Sequence, residues 1–266
     1  MQLLYLMIVD TFMFYNEVDV LELRLTLLDP YVDRFVLVES EVNHKGDLKE
    51  MFFEKNAERF SKWMHKLTRV VVRADESPTD PDPWSREKFQ RECILRGLEG
   101  GASVDGTLQV PVPSDAIIMV SDVDEIPDMT RVNKTHAVNS VHMWMFEYSF
   151  MYLFTGEPWV GTVVTNCELM KRMGPNYFRS NRWKFPVIQY AGWHLSSFGD
   201  AAHVVNKHLT FAHWKDKRPV DMTTENFEKF IKQGIHTDGS TKLVPRPQEV
   251  PLPASSDVLN RLGFNF

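Results

Sequence analysis

The stretch Ala116-Ile-Ile-Met-Val-Ser-Asp-Val-Asp-Glu-Ile-Pro127 gives the strongest indication of how this chain folds. Its five apolar residues, Ala116 to Val120, predict a strand buried on both faces, as strands are in a parallel sheet covered by helices. Asp122 and Asp124 follow at the end of that strand. Because open α/β sheets bind ligands at the carboxyl ends of their strands, we expect both carboxylates to lie at a ligand site.

The two aspartates repel each other and need positive charge nearby. A Mg²⁺ or Mn²⁺ ion that also binds a diphosphate would supply this charge, because both ions prefer oxygen ligands. Asp122 would instead be a nucleophile in a haloacid-dehalogenase-like phosphatase, but that family has the motif on its first strand and Thr or Val in place of Ile126. A helix-capping acidic turn before Pro127 is the structural alternative. An EF-hand is excluded, because Pro127 and Asn133 occupy its Gly and Glu positions.

The composition is that of a globular protein with one large α/β domain or two small ones. Of the 266 residues, 43% are hydrophobic and 25% are charged, and the formal net charge of −6 argues against nucleic acid as the main partner. Cys93 and Cys167 form no C-x-x-C pair, which argues against a disulfide scaffold and a structural zinc site. Leu3–Val9 is too short for a membrane span, so we expect a soluble, cytoplasmic protein without a membrane anchor.

Strands and helices alternate in the first half, which predicts a mainly parallel sheet with helices on both faces. The predicted strands are Leu3–Val9, Phe35–Val38, Leu67–Val72 and Ala116–Val120. The predicted helices are an Asn16-capped helix up to Leu28, a helix over Phe52–Met64 and a Ser85-capped helix over Arg86–Leu98. Further strands at Val160–Thr165 and Val187–Tyr190 and a helix over Thr224–Lys232 predict a mixed extension. Four prolines after Lys242 argue against a helical ending.

Five blocks of sequence occur in an order that resembles glycosyltransferase family 17. They are Phe14-Tyr-Asn-Glu-Val-Asp-Val-Leu-Glu-Leu-Arg-Leu25, Val32-Asp-Arg-Phe-Val-Leu-Val-Glu-Ser40, Trp84-Ser-Arg-Glu-Lys-Phe-Gln-Arg91, Ser121-Asp-Val-Asp-Glu-Ile-Pro127 and Gly192-Trp-His-Leu-Ser-Ser-Phe198. The resemblance covers roughly residues 3 to 215. It implies a GT-A fold, an inverting mechanism, UDP-N-acetylglucosamine as donor and a glycan as acceptor.

The resemblance also implies a domain organisation. We expect a single GT-A domain over 1–266, with a nucleotide-sugar-binding half over 1–127, an acceptor-side half over 128–241 and a Pro-rich tail over 242–266. We expect no membrane anchor or stem of the kind that the animal enzymes have, and a bacterial, phage or large-virus origin would fit that expectation. Three other functions compete, namely transfer from another UDP-sugar, D-x-D phosphatase activity and sugar binding without turnover.

The resemblance assigns expected roles to residues near the five blocks. The expected ligands of Mn²⁺ or Mg²⁺ are Asp122, Asp124 and His194. The expected donor-binding residues are Asn16, Glu39, Arg86, Gln90, Arg91, Asp122 and Lys207, with His208 and His213 as weaker candidates. The structural alternatives are a helix cap for Asn16, packing for His194, a charged outer helix face for Arg86, Gln90 and Arg91, and a solvated helix end for Lys207, His208 and His213. Glu125 is expected either to bind the metal or to hold the turn.

An inverting transfer also needs a general base near the acceptor hydroxyl. Glu147, Glu168 and Asp200 are the carboxylates in the acceptor half that we consider for this role, and the sequence does not choose among them. Each has the alternative of a surface acid. The aromatic residues of this half would stack on sugar rings or pack in the core. They are Trp144, Tyr148, Tyr152, Trp159 and Trp183.

Overall fold

The computed structural model describes residues 6–132, 136–212 and 221–266. Its strands are β1 (Ile8–Phe14), β2 (Arg34–Ser40), β3 (Leu67–Val72), β4 (Gly101–Ala102), β5 (Leu108–Gln109), β6 (Ile117–Asp122), β7 (Glu125–Pro127), β8 (Asn139–Glu147), β9 (Tyr152–Leu153), β10 (Trp159–Asn166), β11 (Val187–Ile188), β12 (Gly192–Ser196) and β13 (Val244–Pro245). Its α-helices are α1 (Val18–Leu28), α2 (Phe52–Lys55), α3 (Pro83–Glu92), α4 (Cys167–Met173), α5 (Pro175–Asn181), α6 (Ala201–Thr210), α7 (Thr224–Gln233) and α8 (Ser256–Arg261). Short 3₁₀ segments cover Ala57–Trp63, Cys93–Leu98 and Arg182–Lys184.

One large mixed sheet organises the molecule, with strands in the order β13-β9-β8-β10-β6-β1-β2-β3. The strands β6, β1, β2 and β3 are parallel, which confirms the predicted parallel half. β10 then runs antiparallel to both β6 and β8, so β8 points in the same direction as β6. β12 lies parallel to β8 and antiparallel to β7. The carboxyl ends of β1, β2, β6, β8 and β12 therefore share one edge, as expected for a mixed extension of a parallel sheet.

Hydrophobic cores cover both faces of the parallel half. Alternate residues of β2 point to opposite faces, with Phe35 and Leu37 in one core and Val36 and Val38 in the other. The first core is completed by the apolar side of α1, and the second by the 3₁₀ segment Cys93–Leu98. Burial on both faces explains why these strands are continuous apolar runs.

Several predicted boundaries in the first half are wrong. The first strand runs Ile8–Phe14 and not Leu3–Val9, whose first residues lie outside the described ranges. Glu17 precedes α1 in place of a capping Asn16, and no side chain caps that helix. The segment Phe52–Met64 forms a short helix and a 3₁₀ segment, not one helix.

The predicted third helix begins three residues earlier than expected, because a different residue caps it. Its cap is Asp82, whose carboxylate accepts a hydrogen bond from the backbone N–H of Trp84, and not Ser85. Pro83 occupies the first helical position, which tolerates proline because its N–H would have no partner there. The α-helix ends at Glu92 and continues as a 3₁₀ segment to Leu98.

The second half departs further from prediction. The strand predicted at Val187–Tyr190 is limited to Val187–Ile188, and the following Gly-Trp-His block forms its own strand, β12. The ending is helical despite its prolines, because Ser255 caps α8 after the last of them. Leu259 of α8 is fully buried in the first core, the one that contains Phe35 and Leu37. Across the described ranges, no helix is both long and apolar enough to cross a membrane.

Candidate functional site

A cavity of 460 Å³ lies at the shared carboxyl edge of the sheet. β1 contributes Phe14 and the following Tyr15, β6 contributes Asp122, and β12 contributes His194. Asp124 lines the same space from the turn between β6 and β7. The D-x-D aspartates and the Gly-Trp-His histidine therefore line one cavity, although His194 lies in the middle of β12 and does not follow a strand that ends at Tyr190.

A fully buried arginine, Arg24 of α1, holds the D-x-D turn through hydrogen bonds to its backbone. Its guanidinium forms a bidentate ion pair with Asp10, with N–O distances of 2.6 and 2.8 Å. It also donates to the backbone carbonyls of Asp122, Val123 and Glu125 at 2.7–3.2 Å. Sequence reasoning missed Arg24. The available signal was a charged residue within the apolar stripe of α1, where a buried charge must be paired.

Glu125 holds the turn and does not face the cavity with a free carboxylate. Arg179 of α5 donates to both of its oxygens, at 2.8 and 3.0 Å. The indole N–H of Trp159 and the backbone N–H of Asp122 donate to the same carboxylate, at 2.9 and 3.1 Å. Of the two roles considered for Glu125, the structure supports the structural one. Arg179 was also missed, because no helix was predicted over Pro175–Asn181.

Asp122 is paired with two arginines. Arg179 donates to one oxygen at 2.7 Å and Arg91 to the other at 3.3 Å. Burial by itself would raise the pKa of the Asp122 carboxyl, but these guanidinium groups outweigh it and lower the pKa. Conversely, Asp122 and Glu125 raise the pKa of Arg179, although burial acts to lower it. The side chain of Asp122 stays one-third exposed, so a ligand in the cavity can reach it.

Asp124 has a different set of positive partners. The ammonium of Lys207 on α6 lies 3.0 Å from its Oδ2, and Nε2 of His194 lies 3.7 Å from the same oxygen. These two groups lower the pKa of Asp124 well below its usual value although burial acts to raise it. Asp124 in turn raises the pKa of Lys207 against burial. The positive charge that the two aspartates require is thus present in the protein itself.

His194 is both packed and placed at the cavity. Its ring stacks on Trp159 with 4.3 Å between centroids and an interplanar angle of 18°. Nε2 faces Asp124, whereas Nδ1 is buried without a hydrogen-bond partner among the described residues. A packing role and a ligand role are therefore compatible for this side chain.

The three predicted metal ligands do not converge as a set. Within the described ranges, no three His, Cys, Asp or Glu side chains are grouped in a way that would hold a metal ion. Asp122 turns towards Arg179 and Arg91. Asp124 and His194 remain adjacent, and a carboxylate oxygen with an imidazole nitrogen suits Mn²⁺ better than Mg²⁺. These two residues fit a divalent ion in chemical type, provided that Lys207 releases Asp124.

The predicted donor-binding residues divide into those that line the cavity and those that do not. Gln90, Arg91 and Lys207 line it together with Asp122. Gln90 is fixed by its amide, which donates to the carbonyl of Val38 at 3.0 Å. Arg86 is not among the lining residues, since its guanidinium donates to backbone carbonyls of His44 and Asp80.

Asn16 and Glu39 also lie outside the cavity lining. The carboxylate of Glu39 is buried, and it accepts from Arg69 at 3.0 Å and from the backbone N–H of Phe53 at 3.1 Å. Oδ1 of Asn16 is buried without a hydrogen-bond partner in the described part of the chain. His208 packs against Phe227, and His213 lies outside the described residues.

The three candidate bases have different environments. Glu168 and Asp200 are exposed, and Asp200 accepts a hydrogen bond from the backbone N–H of His203 as the cap of α6. Glu147 is fully buried at the carboxyl end of β8, beside Ser196 of β12. Neither oxygen of Glu147 has a hydrogen bond of ordinary geometry in the described ranges, and burial raises its pKa. Nε2 of His236 is 3.8 Å from Glu147.

The fold and the site define an α/β protein with a cavity at the carboxyl ends of its parallel strands, where such folds bind nucleotides. Paired carboxylates and cationic side chains meet in that cavity. Residues 5–238 match the sequence model of Glycosyltransferase family 17. The chain belongs to this family, which confirms the resemblance and indicates a role in glycosyl transfer. A comparison with curated proteins found no match.

Proposed function

We propose that this protein is a metal-dependent, inverting glycosyltransferase that moves N-acetylglucosamine from UDP-N-acetylglucosamine to a hydroxyl of a glycan. The observation that carries the proposal is the meeting of Arg91, Arg179 and Lys207 with the two D-x-D carboxylates in one cavity. Such a site matches a ligand that brings both anionic phosphates and a bound cation. Family membership supports glycosyl transfer. The choice of donor sugar rests on the five resembling sequence blocks.

The arginines would bind the diphosphate of the donor. Arg91 and Arg179 present planar guanidinium groups, which suit phosphate oxygens, and both now contact Asp122. A diphosphate that replaces Asp122 as their acceptor keeps both guanidinium groups paired with an anion. Asp124 and His194 would hold the metal ion, which when bound neutralises charge on the departing UDP as a Lewis acid. Lys207 would then turn from Asp124 to the diphosphate.

For the general base we propose Glu147. It is the one member of the predicted trio that is buried on the carboxyl edge of the sheet, next to the cavity-lining residue Ser196. Burial raises the pKa of Glu147 towards neutral pH, and a general base is most effective when its pKa lies near the working pH. Glu168 and Asp200 are exposed.

Calorimetric titration with UDP, run once with Mn²⁺ and once with a chelator, tests the donor site. We expect UDP and Mn²⁺ to raise each other's affinity by one common factor, of roughly 5 to 150. Asp124→Asn removes this coupling. Asp128→Asn is the matched control, because Asp128 follows β7, accepts hydrogen bonds from Thr130 and is not among the lining residues of the cavity. Equal UDP affinity with and without Mn²⁺ contradicts the metal-dependent site.

Product release distinguishes the competing functions. Metal-dependent release of UDP, faster from UDP-N-acetylglucosamine than from UDP-glucose or UDP-galactose, supports the proposal. A preference for either of the other sugars supports transfer from another donor. Binding of UDP without turnover indicates a sugar-binding protein. Release of phosphate from p-nitrophenyl phosphate indicates a phosphatase, although the two guanidinium groups on Asp122 argue against a free nucleophile there.

A further inference from the structure

A second cavity, of 180 Å³, adjoins the first. It lies where β8, the start of β10 and the loop before β10 meet, and Phe154 and Glu157 are among its lining residues. Met145 and Trp159 line both cavities, so the two spaces share a wall. The two cavities are therefore adjacent.

Three aromatic rings form a layered surface in this cavity. Tyr190 stacks on Trp144, with 4.2 Å between ring centroids and an angle of 27°, and lies 4.3 Å from His142. Tyr190 is nevertheless 41% exposed. Its backbone φ of 51° is unfavourable for a residue with a Cβ atom, so the stack must help to keep it there. An exposed ring held in strained geometry is typical of a binding surface.

The polar groups of the cavity define the ligand further. Among the described residues that line it, Glu157 is the one carboxylate, and none is a lysine or an arginine. A sialic acid or a phosphate would therefore find no lysine or arginine in the described lining. The indole N–H of Trp144 is buried and has no acceptor among the described residues. A ligand that supplies apolar C–H faces and neutral oxygen atoms fits these walls.

We propose that this second cavity is the subsite for a neutral pyranose ring of the acceptor, which stacks on Tyr190. Pyranose rings present C–H groups on their faces and hydroxyl oxygens at their edges, which match an aromatic surface with few charges. The shared wall of Met145 and Trp159 would bring an acceptor hydroxyl next to the donor sugar. This inference rests on the proposed glycosyl transfer, and it adds the class of acceptor and the residues that recognise it.

Binding of the full chain to an array of neutral and sialylated oligosaccharides tests the subsite. We expect binding to at least one neutral glycan, weaker by about tenfold in Tyr190→Ala because the stacking surface is lost. Tyr190→Phe should keep that affinity. Tyr31→Ala is the control, because Tyr31 is similarly exposed at 43% and lies between α1 and β2, outside both cavity linings.

Calorimetry with UDP separates failure of the subsite from failure of the donor site. Tyr190→Ala should bind UDP as the unchanged protein does, since Tyr190 does not line the first cavity. If UDP binds but no glycan does, the subsite is wrong and the donor site stands. Equal glycan binding by Tyr190→Ala, or a preference for sialylated glycans, also overturns the subsite. If UDP does not bind to the unchanged protein, the proposed function itself fails.

Discussion

The two halves of the central sheet treat their buried polar groups differently. In the parallel half, Arg24 pairs with Asp10 and Arg69 pairs with Glu39. In the second half, Glu147 is buried without a hydrogen bond of ordinary geometry in the described residues. The three non-glycine residues of the described chain with positive φ, namely Tyr148, Tyr190 and Ser197, are also there. The parallel half thus pairs its buried acids with arginines, whereas the second half retains backbone strain and a buried carboxylate without such a partner.

The largest expected effect is loss of the buried ion pair in the parallel half. Arg24→Met should lower the free energy of unfolding by about 3–5 kcal/mol, because it leaves the Asp10 carboxylate buried and unpaired. Urea denaturation measures the loss. The double variant with Asp10→Asn should recover much of it. A double variant as unstable as the single one would show that Arg24 acts mainly through the turn carbonyls.

A smaller effect is expected where the two halves meet, at Lys207. Its ammonium competes with a metal ion for Asp124, so Lys207→Ala should raise the Mn²⁺ affinity of the ligand-free protein. We expect about tenfold, or about 1.4 kcal/mol, which is the scale of one charge-assisted hydrogen bond. Electron paramagnetic resonance of free Mn²⁺ measures it. Lys229→Ala, which removes an exposed ion pair with Glu225, should change nothing. Weaker Mn²⁺ binding in Lys207→Ala would argue against competition.

Glu147 gives a pH-dependent difference between the halves. Because burial raises its folded-state pKa, it stabilises the fold below its ordinary pKa near 4.5, and this contribution is lost as the pH rises through the folded pKa. Glu147→Gln cannot ionise and should be more stable than the unchanged protein at neutral pH. Denaturation between pH 4 and pH 8 tests this, with the exposed Glu168→Gln as control. If Glu147 is the general base, Glu147→Gln should also lose turnover although its stability rises.

The smallest expected effect concerns backbone strain. Ser197 has a φ of 52°, so Ser197→Gly should stabilise the fold by roughly 0.5–1 kcal/mol. Ser196 is the matched control, because it lies in the extended strand β12, where glycine should destabilise by a similar amount. Thermal unfolding of both variants gives the comparison. Equal destabilisation by both would mean that Ser197 carries no appreciable strain.

The sequence predicted the parallel half better than the second half. β3 was placed at its observed residues, and the position of Asp122 and Asp124 followed from the apolar strand before them. Continuous apolar runs are a strong signal for strands buried on both faces. The beginning of β1 was misplaced, because an apolar run does not show at which residue pairing with a neighbouring strand begins.

The partners of the site residues were beyond local reasoning. Arg24 and Arg179 approach the D-x-D turn from residues about 100 positions before and 55 positions after it, at distances that only the tertiary fold fixes. From the sequence we expected a metal ion to supply the positive charge that the two aspartates need. In the folded chain, arginine and lysine side chains supply it. Glu147 was one of three candidate bases, but its burial depends on the pairing of β8 with β12.

One side chain joins the two cavities. Trp159 lines both, its indole N–H is hydrogen-bonded to Glu125, and its ring is stacked on His194. Glu125 in turn holds Arg179, which contacts Asp122. A sugar that shifts this ring would therefore alter the arginine at the D-x-D turn, and linkage requires that the influence run equally in the opposite direction. An enzyme with such a shared wall would sense the second substrate through its affinity for the first.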